Sequence, residues 1–149
     1  MLFQIDASWT LFLDRDGVIN RRPLHDYVKS WEEFEFLPGT LEALHTLSIA
    51  FHKIIIVTNQ QGIGKNLMSR ESLLDIHRHM KAEIKRHGGR IDGIYFCPDL
   101  STKPVSCRKP GTKMAQQAKN DHPDIDFSKS IMAGDTLGDM KFGSNAGMK

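Results

Sequence analysis

Apolar positions along this chain follow two patterns that alternate from one end to the other. Four short stretches are rich in apolar residues: Leu11, Phe12 and Leu13; residues 53–58, with Ile54, Ile55, Ile56 and Val57 in a row; residues 91–96; and residues 130–133. Consecutive β-branched residues without polar alternation predict strands covered on both faces, as in a parallel sheet. Between these stretches the apolar residues recur at helical spacing. Leu41, Leu44 and Leu47 follow Pro38-Gly39-Thr40, and Leu73, Ile76, Met80 and Ile84 run from Ser69, a helix cap, to Gly88-Gly89, a helix stop. A third helix is predicted over residues 113–119, and a fourth from Leu137 to about Ala146 with Gly147 past its end. Residues 21–36 have no clean period and read as a loop over whatever the sheet carries. Residues 58–65 and 97–110 read as loops after the second and third strands. Strand and helix alternate four times, which predicts an α/β fold: a doubly wound, three-layered parallel sheet with right-handed crossovers and no separate cap domain.

A parallel sheet delivers the carboxyl ends of its strands to one edge, where open α/β sheets bind ligands. In this chain those ends carry Asp14 and Asp16, Thr58 and Asn59, Arg108 and Lys109, and Asp135 with Asp139. Each has an ordinary explanation by itself. Asp-x-Asp-Gly is a common strand-ending turn, Asp135 is a plausible helix cap, and a lysine before proline is usually solvated. Together at successive strand ends they form a chemical set. Carboxylates hold a hard cation such as Mg2+ and provide a nucleophile and a proton carrier, while the hydroxyl, amide and lysine suit phosphate oxygens.

Composition narrows the picture without deciding it. The 149 residues suit one domain (1–149), with hydrophobic and charged fractions of 40% and 26%. A net charge of +2 with scattered Lys and Arg gives no reason to expect nucleic acid. No apolar stretch approaches a membrane span, and the first residues do not form a signal peptide, so a cytoplasmic protein is expected. For the two cysteines, Cys97 and Cys107, a disulfide, free thiols and residual metal ligands are all open, with reduced thiols favoured by that location. Oligomeric state is not legible.

Asp-x-Asp-Gly-Val-Ile-Asn, Val-Thr-Asn-Gln-x-Gly-Ile, Cys-Arg-Lys-Pro and Gly-Asp-x-x-x-Asp, in that order from Leu11 to Gly147, resemble the haloacid dehalogenase superfamily. More narrowly, the chain is similar to the branch of D-glycero-D-manno-heptose 1,7-bisphosphate and histidinol-phosphate phosphatases. The resemblance implies an Mg2+-dependent phosphatase that forms an aspartyl-phosphate, with a small phosphate ester as its partner. By it, Asp14 is the nucleophile and Asp16 the general acid/base. Thr58 binds the transferring phosphoryl group, Lys109 neutralises it, and Asn59 and Arg108 contact substrate. Asp14, Asp16, Asp135 and Asp139 make up the metal set, Asp139 supporting either the metal or Lys109. A sugar phosphate is the favoured substrate and histidinol phosphate the alternative.

Two departures from that branch stand out. Its zinc loop, Cys-x-His followed by Cys-x-Cys, is reduced here to Cys97-Pro98-Asp99 and Val105-Ser106-Cys107, so zinc is not expected and the loop would rest on packing. The chain also stops at Lys149, where the branch continues into another strand, so a last edge strand is expected to be missing. Two rival classes are a phosphoacceptor signalling domain and a non-catalytic protein that keeps the fold. Thr58 stands where the first would place its acceptor Asp, and the complete set of acids argues against the second.

Overall fold

The predicted strands join one parallel sheet in a computed structural model that describes residues 3–149. The strands are β1 (Thr10–Leu13), β2 (Lys53–Asn59), β3 (Gly93–Cys97) and β4 (Ser130–Ala133), in the order β3-β2-β1-β4. Leu11 lies opposite Ile54 on one side and Ile131 on the other. The helices are α1 (Thr40–Ala50), a single turn α2 (Gln61–Gly64), α3 (Arg70–Arg86), α4 (Lys113–Asp121) and α5 (Leu137–Ala146).

The unbroken apolar run of β2 is explained by what covers it. Ile54 and Ile56 face one side with Leu11 and Leu13, packed against Leu44 of α1 and Met80 and Ile84 of α3. Ile55 and Val57 face the other with Phe12, against Met114, Ala115 and Ala118 of α4 and Phe142 of α5. Helices therefore sandwich the sheet. Strand order proceeds outward from β1 through β2 to β3, then reverses to β4 on the far side of β1. That reversal opens a crevice between the ends of β1 and β4, the place where such sheets bind ligands.

Helix signals in the sequence hold closely. The Ser69 hydroxyl accepts from Ser72 N and starts α3, while Thr136 and Asp139 form a reciprocal capping box on α5. Gly147 closes α5 in the left-handed region, which glycine enters without a side-chain clash. Among the described residues no helix is long and apolar enough to cross a membrane.

Three expectations are corrected. The third strand begins at Gly93 rather than Ile91, because Asp92 terminates the ladder: its N–H donates to Ile54 O and its carboxylate accepts from Ile54 N. Residues 61–64, expected as loop, make a helical turn closed by Lys65 N donating to Gln61 O. Cys97 and Cys107, expected as reduced thiols, form a disulfide, their Cα atoms 5.5 Å apart and within bonding reach. The loop is thus cross-linked instead of held by packing alone, and the Asp99 carboxylate accepts from Cys107 N inside it. Beyond β4, the backbone of Lys149 pairs with Ser130 and Met132.

Candidate active site

Asp14 follows β1 directly, and its N–H donates to Ala133 O at the end of β4, so the backbone itself ties the two strand ends together. The Asp14 side chain is buried beside Lys109, whose Nζ donates to Asp14 Oδ1 at 2.9 Å, to Asp139 Oδ1 at 2.6 Å and to Val57 O at 2.8 Å. Burial pushes the Asp14 carboxyl above its ordinary value; the Lys109 charge opposes this and Asp139 adds to it. Lys109 therefore sits between two carboxylates in a nearly dry setting.

Asp16 is arranged differently. Its Oδ1 accepts from Arg15 Nη2 at 2.7 Å, Arg15 Nε at 3.2 Å and Asn20 Nδ2 at 2.9 Å, and its Oδ2 from Gln60 Nε2 at 2.9 Å. Burial pulls this carboxyl up, but the Arg15 charge and the donors from Asn20, Arg15 and Gln60 outweigh it and hold it below the usual range. Two neighbouring aspartates thus have opposed shifts, a common sign of divided acid–base labour.

Arg15 is itself fully buried, and its Nη1 donates to His77 Nε2 at 3.1 Å. Burial, followed by the Arg15 charge, drives the His77 imidazole down to about 3, so it stays neutral as an acceptor. This has a stability consequence. An unfolded chain takes up a proton on His77 near the ordinary value of 6.5, and the folded chain does so only near 3. Stability should fall as pH drops through that window, by up to about 1.4 kcal/mol per pH unit from this group. Chemical denaturation at pH 7 and pH 5 should show a smaller loss in His77→Gln than in the wild type. An equal loss in both would mean that His77 is protonated in the fold.

Asp14, Asp16, Asn59, Arg108, Lys109 and Asp139 line one cavity of about 270 Å³, which brings together six of the eight residues expected at the site. Asp135 stands at its edge, against Gly17. That glycine has φ +84°, and a Cβ there would overlap the Asp135 carboxylate. Thr58 is the exception. It is fully buried, its hydroxyl accepts from Gln60 Nε2, and it does not line the cavity. Asn59 lines the cavity but is committed to the loop: Oδ1 accepts from Lys109 N and Nδ2 donates to Lys109 O. It fixes the lysine's backbone. Arg108 faces the open cleft, with Nη1 donating to Asp99 O at 3.3 Å.

Oxygen donors for a hard cation are present. Asp14, Asp135 and Asp139 each offer a carboxylate oxygen within 4.8 Å of the others. Asp139 is already engaged through both oxygens, Oδ1 with Lys109 and Oδ2 with the N–H and hydroxyl of Thr136. The expected Asp16 carboxylate is turned away toward Arg15, but the backbone O of Asp16 faces the acids. Arg22 Nη2 donates to that carbonyl at 2.9 Å and to Asp135 Oδ1 at 3.0 Å, and lies 3.6 Å from Asp14 Oδ2. A cationic group already rests among these oxygens, so a cation suits the donor set. Cys97, Asp99 and Cys107 also cluster, but a disulfide has no thiolate to give and three donors fall short of structural zinc's four.

Sequence reasoning missed Arg15, Gln60, His77 and Arg22, and also Tyr27, which lines the same cavity. His77 had a usable signal: it lies four after Leu73 and three before Met80, on the apolar face of α3. Arg22 and Tyr27 belong to the unperiodic loop, where nothing local indicates a direction.

Comparison with known proteins agrees with this geometry. Residues 3–148 match the family described as polynucleotide kinase 3 phosphatase. A D-glycero-alpha-D-manno-heptose-1,7-bisphosphate 7-phosphatase of Mycobacterium tuberculosis is 43% identical over 138 residues, spanning 93% of this chain and 73% of that protein. A D-glycero-beta-D-manno-heptose-1,7-bisphosphate 7-phosphatase of Helicobacter pylori is 36% identical over 147 residues, spanning 97% and 82%. Among solved structures, a D,D-heptose 1,7-bisphosphate phosphatase from B. bronchiseptica, complexed with magnesium and phosphate, superposes with a TM-score of 0.86. It is 33% identical, over 94% of this chain and 77% of that one.

Proposed function

Because the chain belongs to the haloacid dehalogenase phosphatases, in the branch of the heptose 1,7-bisphosphate phosphatases, we propose that it removes the 7-phosphate from a heptose 1,7-bisphosphate with Mg2+ as cofactor. The observation that supports the chemistry best is the buried Asp14–Lys109–Asp139 arrangement with Asp16 beside it. Relatives named for both the alpha and the beta anomer are similar to this chain, so the anomer is left to experiment.

The Asp14 carboxylate, held in place by Lys109 through Oδ1, attacks phosphorus in line. Lys109 keeps Asp14 oriented and places a positive charge beside the oxygens of the transferring group. Asp16 Oδ2 has a single donor and therefore room for a proton. A phosphate dianion entering beside Asp16 raises its proton affinity, which lets it protonate the departing sugar oxygen. As a base, Asp16 then takes a proton from the water that hydrolyses the aspartyl-phosphate. Asp14, Asp135 and the Asp16 backbone O would hold Mg2+, which when bound supplies charge neutralisation for the phosphoryl oxygens. Thr58, assigned to the transferring phosphoryl group by the resemblance, accepts from Gln60 Nε2 and keeps its hydroxyl proton free to donate.

Released phosphate should be measured over a panel containing both heptose 1,7-bisphosphate anomers, histidinol phosphate and a DNA 3′-phosphate, with and without Mg2+. A heptose bisphosphate should give the highest kcat/KM, and the metal should be required. Preference for the DNA end or for histidinol phosphate would overturn the substrate reading, and undiminished turnover in chelator would overturn the metal reading.

A further inference from the structure

Arg22 occupies a position that electrostatics makes contested. It comes from the loop after β1, and its guanidinium is half exposed. Nη2 nevertheless reaches three oxygen-bearing groups at the ends of two strands: the Asp16 carbonyl and, at 3.6 Å, Asp14 Oδ2 after β1, and the Asp135 carboxylate at 3.0 and 3.3 Å after β4. These oxygens are the ones proposed above to hold Mg2+. Lys109 neutralises the inner part of the acid cluster from below, through Asp14 Oδ1 and Asp139, and leaves Asp14 Oδ2 and Asp135 to Arg22. Two cations thus balance the cluster: one is fixed and buried, the other hinged at the surface. Of the two, the surface one can be exchanged without opening the core.

We infer that Arg22 is a built-in competitor of the divalent cation: it holds the metal's oxygens in the metal-free protein and must swing out before metal can bind. The inference deepens the phosphatase reading and rests on its metal site. Its physical basis is simple. Arg22 Nη2 approaches all three groups at once and so stands in the space between them where an ion bonded to them would sit, and every arriving ion has to displace it. The free energy of those contacts is subtracted from the affinity of the ion. Arg22 has somewhere to go, because it also lines a second, adjoining cavity with His25, Tyr27 and Lys65. With neither Arg22 nor a metal ion in place, Lys109 alone would balance the three carboxylates of Asp14, Asp135 and Asp139, and the arginine makes up the shortfall.

The test is direct binding of Mg2+ to the full chain without substrate, by titration calorimetry, on the wild type, Arg22→Gln and Arg108→Gln. Arg108 lines the same cavity but touches none of the three oxygens, so its variant removes the same charge without removing a competitor. Arg22→Gln should bind Mg2+ about tenfold more tightly than the wild type, with Arg108→Gln changed by less than about threefold. Equal tightening in both variants would overturn the inference, because charge alone would then explain it. Equal affinity in Arg22→Gln and the wild type would overturn it while leaving the phosphatase reading intact. Absence of Mg2+ binding in all three would overturn both the inference and the metal site beneath it. A crystal structure with Mg2+ bound should show Nη2 withdrawn from Asp135 and the Asp16 carbonyl. Contacts retained there beside the ion would refute competition outright.

Discussion

Asp14→Asn should abolish turnover, by about a thousandfold or more, while the protein remains folded. An amide oxygen at this position can still accept from Lys109 Nζ, so the 2.9 Å contact and the packing around it survive. What disappears is the anionic carboxylate as a nucleophile. Stability should move the other way. Burial raises the Asp14 carboxyl above its unfolded value, and a group shifted in that direction costs stability at every pH where it is ionised in the fold. Replacing it with a neutral isostere relieves that cost, so thermal unfolding at neutral pH should show an unchanged or higher Tm. Phosphate release and a melting curve on the same preparation check both halves. More than about one percent of wild-type turnover would place the nucleophile elsewhere. A sharp drop in Tm would show that Asp14 works chiefly as a structural partner of Lys109.

Lys109→Met should be nearly as damaging, for a different reason. The substitution keeps the volume of the stem but removes the cation that bridges Asp14 Oδ1 and Asp139 Oδ1. Breaking a buried pair from one side costs roughly 3–5 kcal/mol, because the remaining charges are left uncompensated. The kcat should fall by about a hundredfold or more, the scale of a lost donor to developing negative charge. Arg108→Ala should separate cleanly from it. Arg108 lines the open cleft, its guanidinium donating to the Asp99 carbonyl, so its charge is placed to serve binding shared by substrate and transition state. Its loss should raise KM by about tenfold and leave kcat within about threefold. Steady-state kinetics on both variants, run well below their melting temperatures, decide the matter. An equal fall in kcat for Arg108→Ala would mean that both side chains act on the reacting phosphate.

The fold and the convergence of most candidate site residues were legible in the sequence. Ile54, Ile55, Ile56 and Val57 could only be a strand covered on both faces, and the structure covers them with α1 and α3 on one side and α4 and α5 on the other. Asp14, Asp135 and Lys109 were legible because strand ends of a parallel sheet converge whatever the side chains between them. These features depend on spacing, and spacing is a local property of the chain. The disulfide was not legible, since ten residues of irregular loop separate Cys97 from Cys107 and only the path of that loop sets their distance. Nor were the fates of Thr58 and Asn59. Both stand at the end of β2, yet one turns into the floor toward Gln60 and the other grips the Lys109 backbone. Arg15, His77 and Arg22 lay furthest from sequence reasoning. Arg15 meets a histidine 62 residues away, and Arg22 meets an aspartate 113 residues away. Periodicity says which face of an element is buried, but a charged side chain's partner depends on which other elements the completed packing brings within about 3 Å of it.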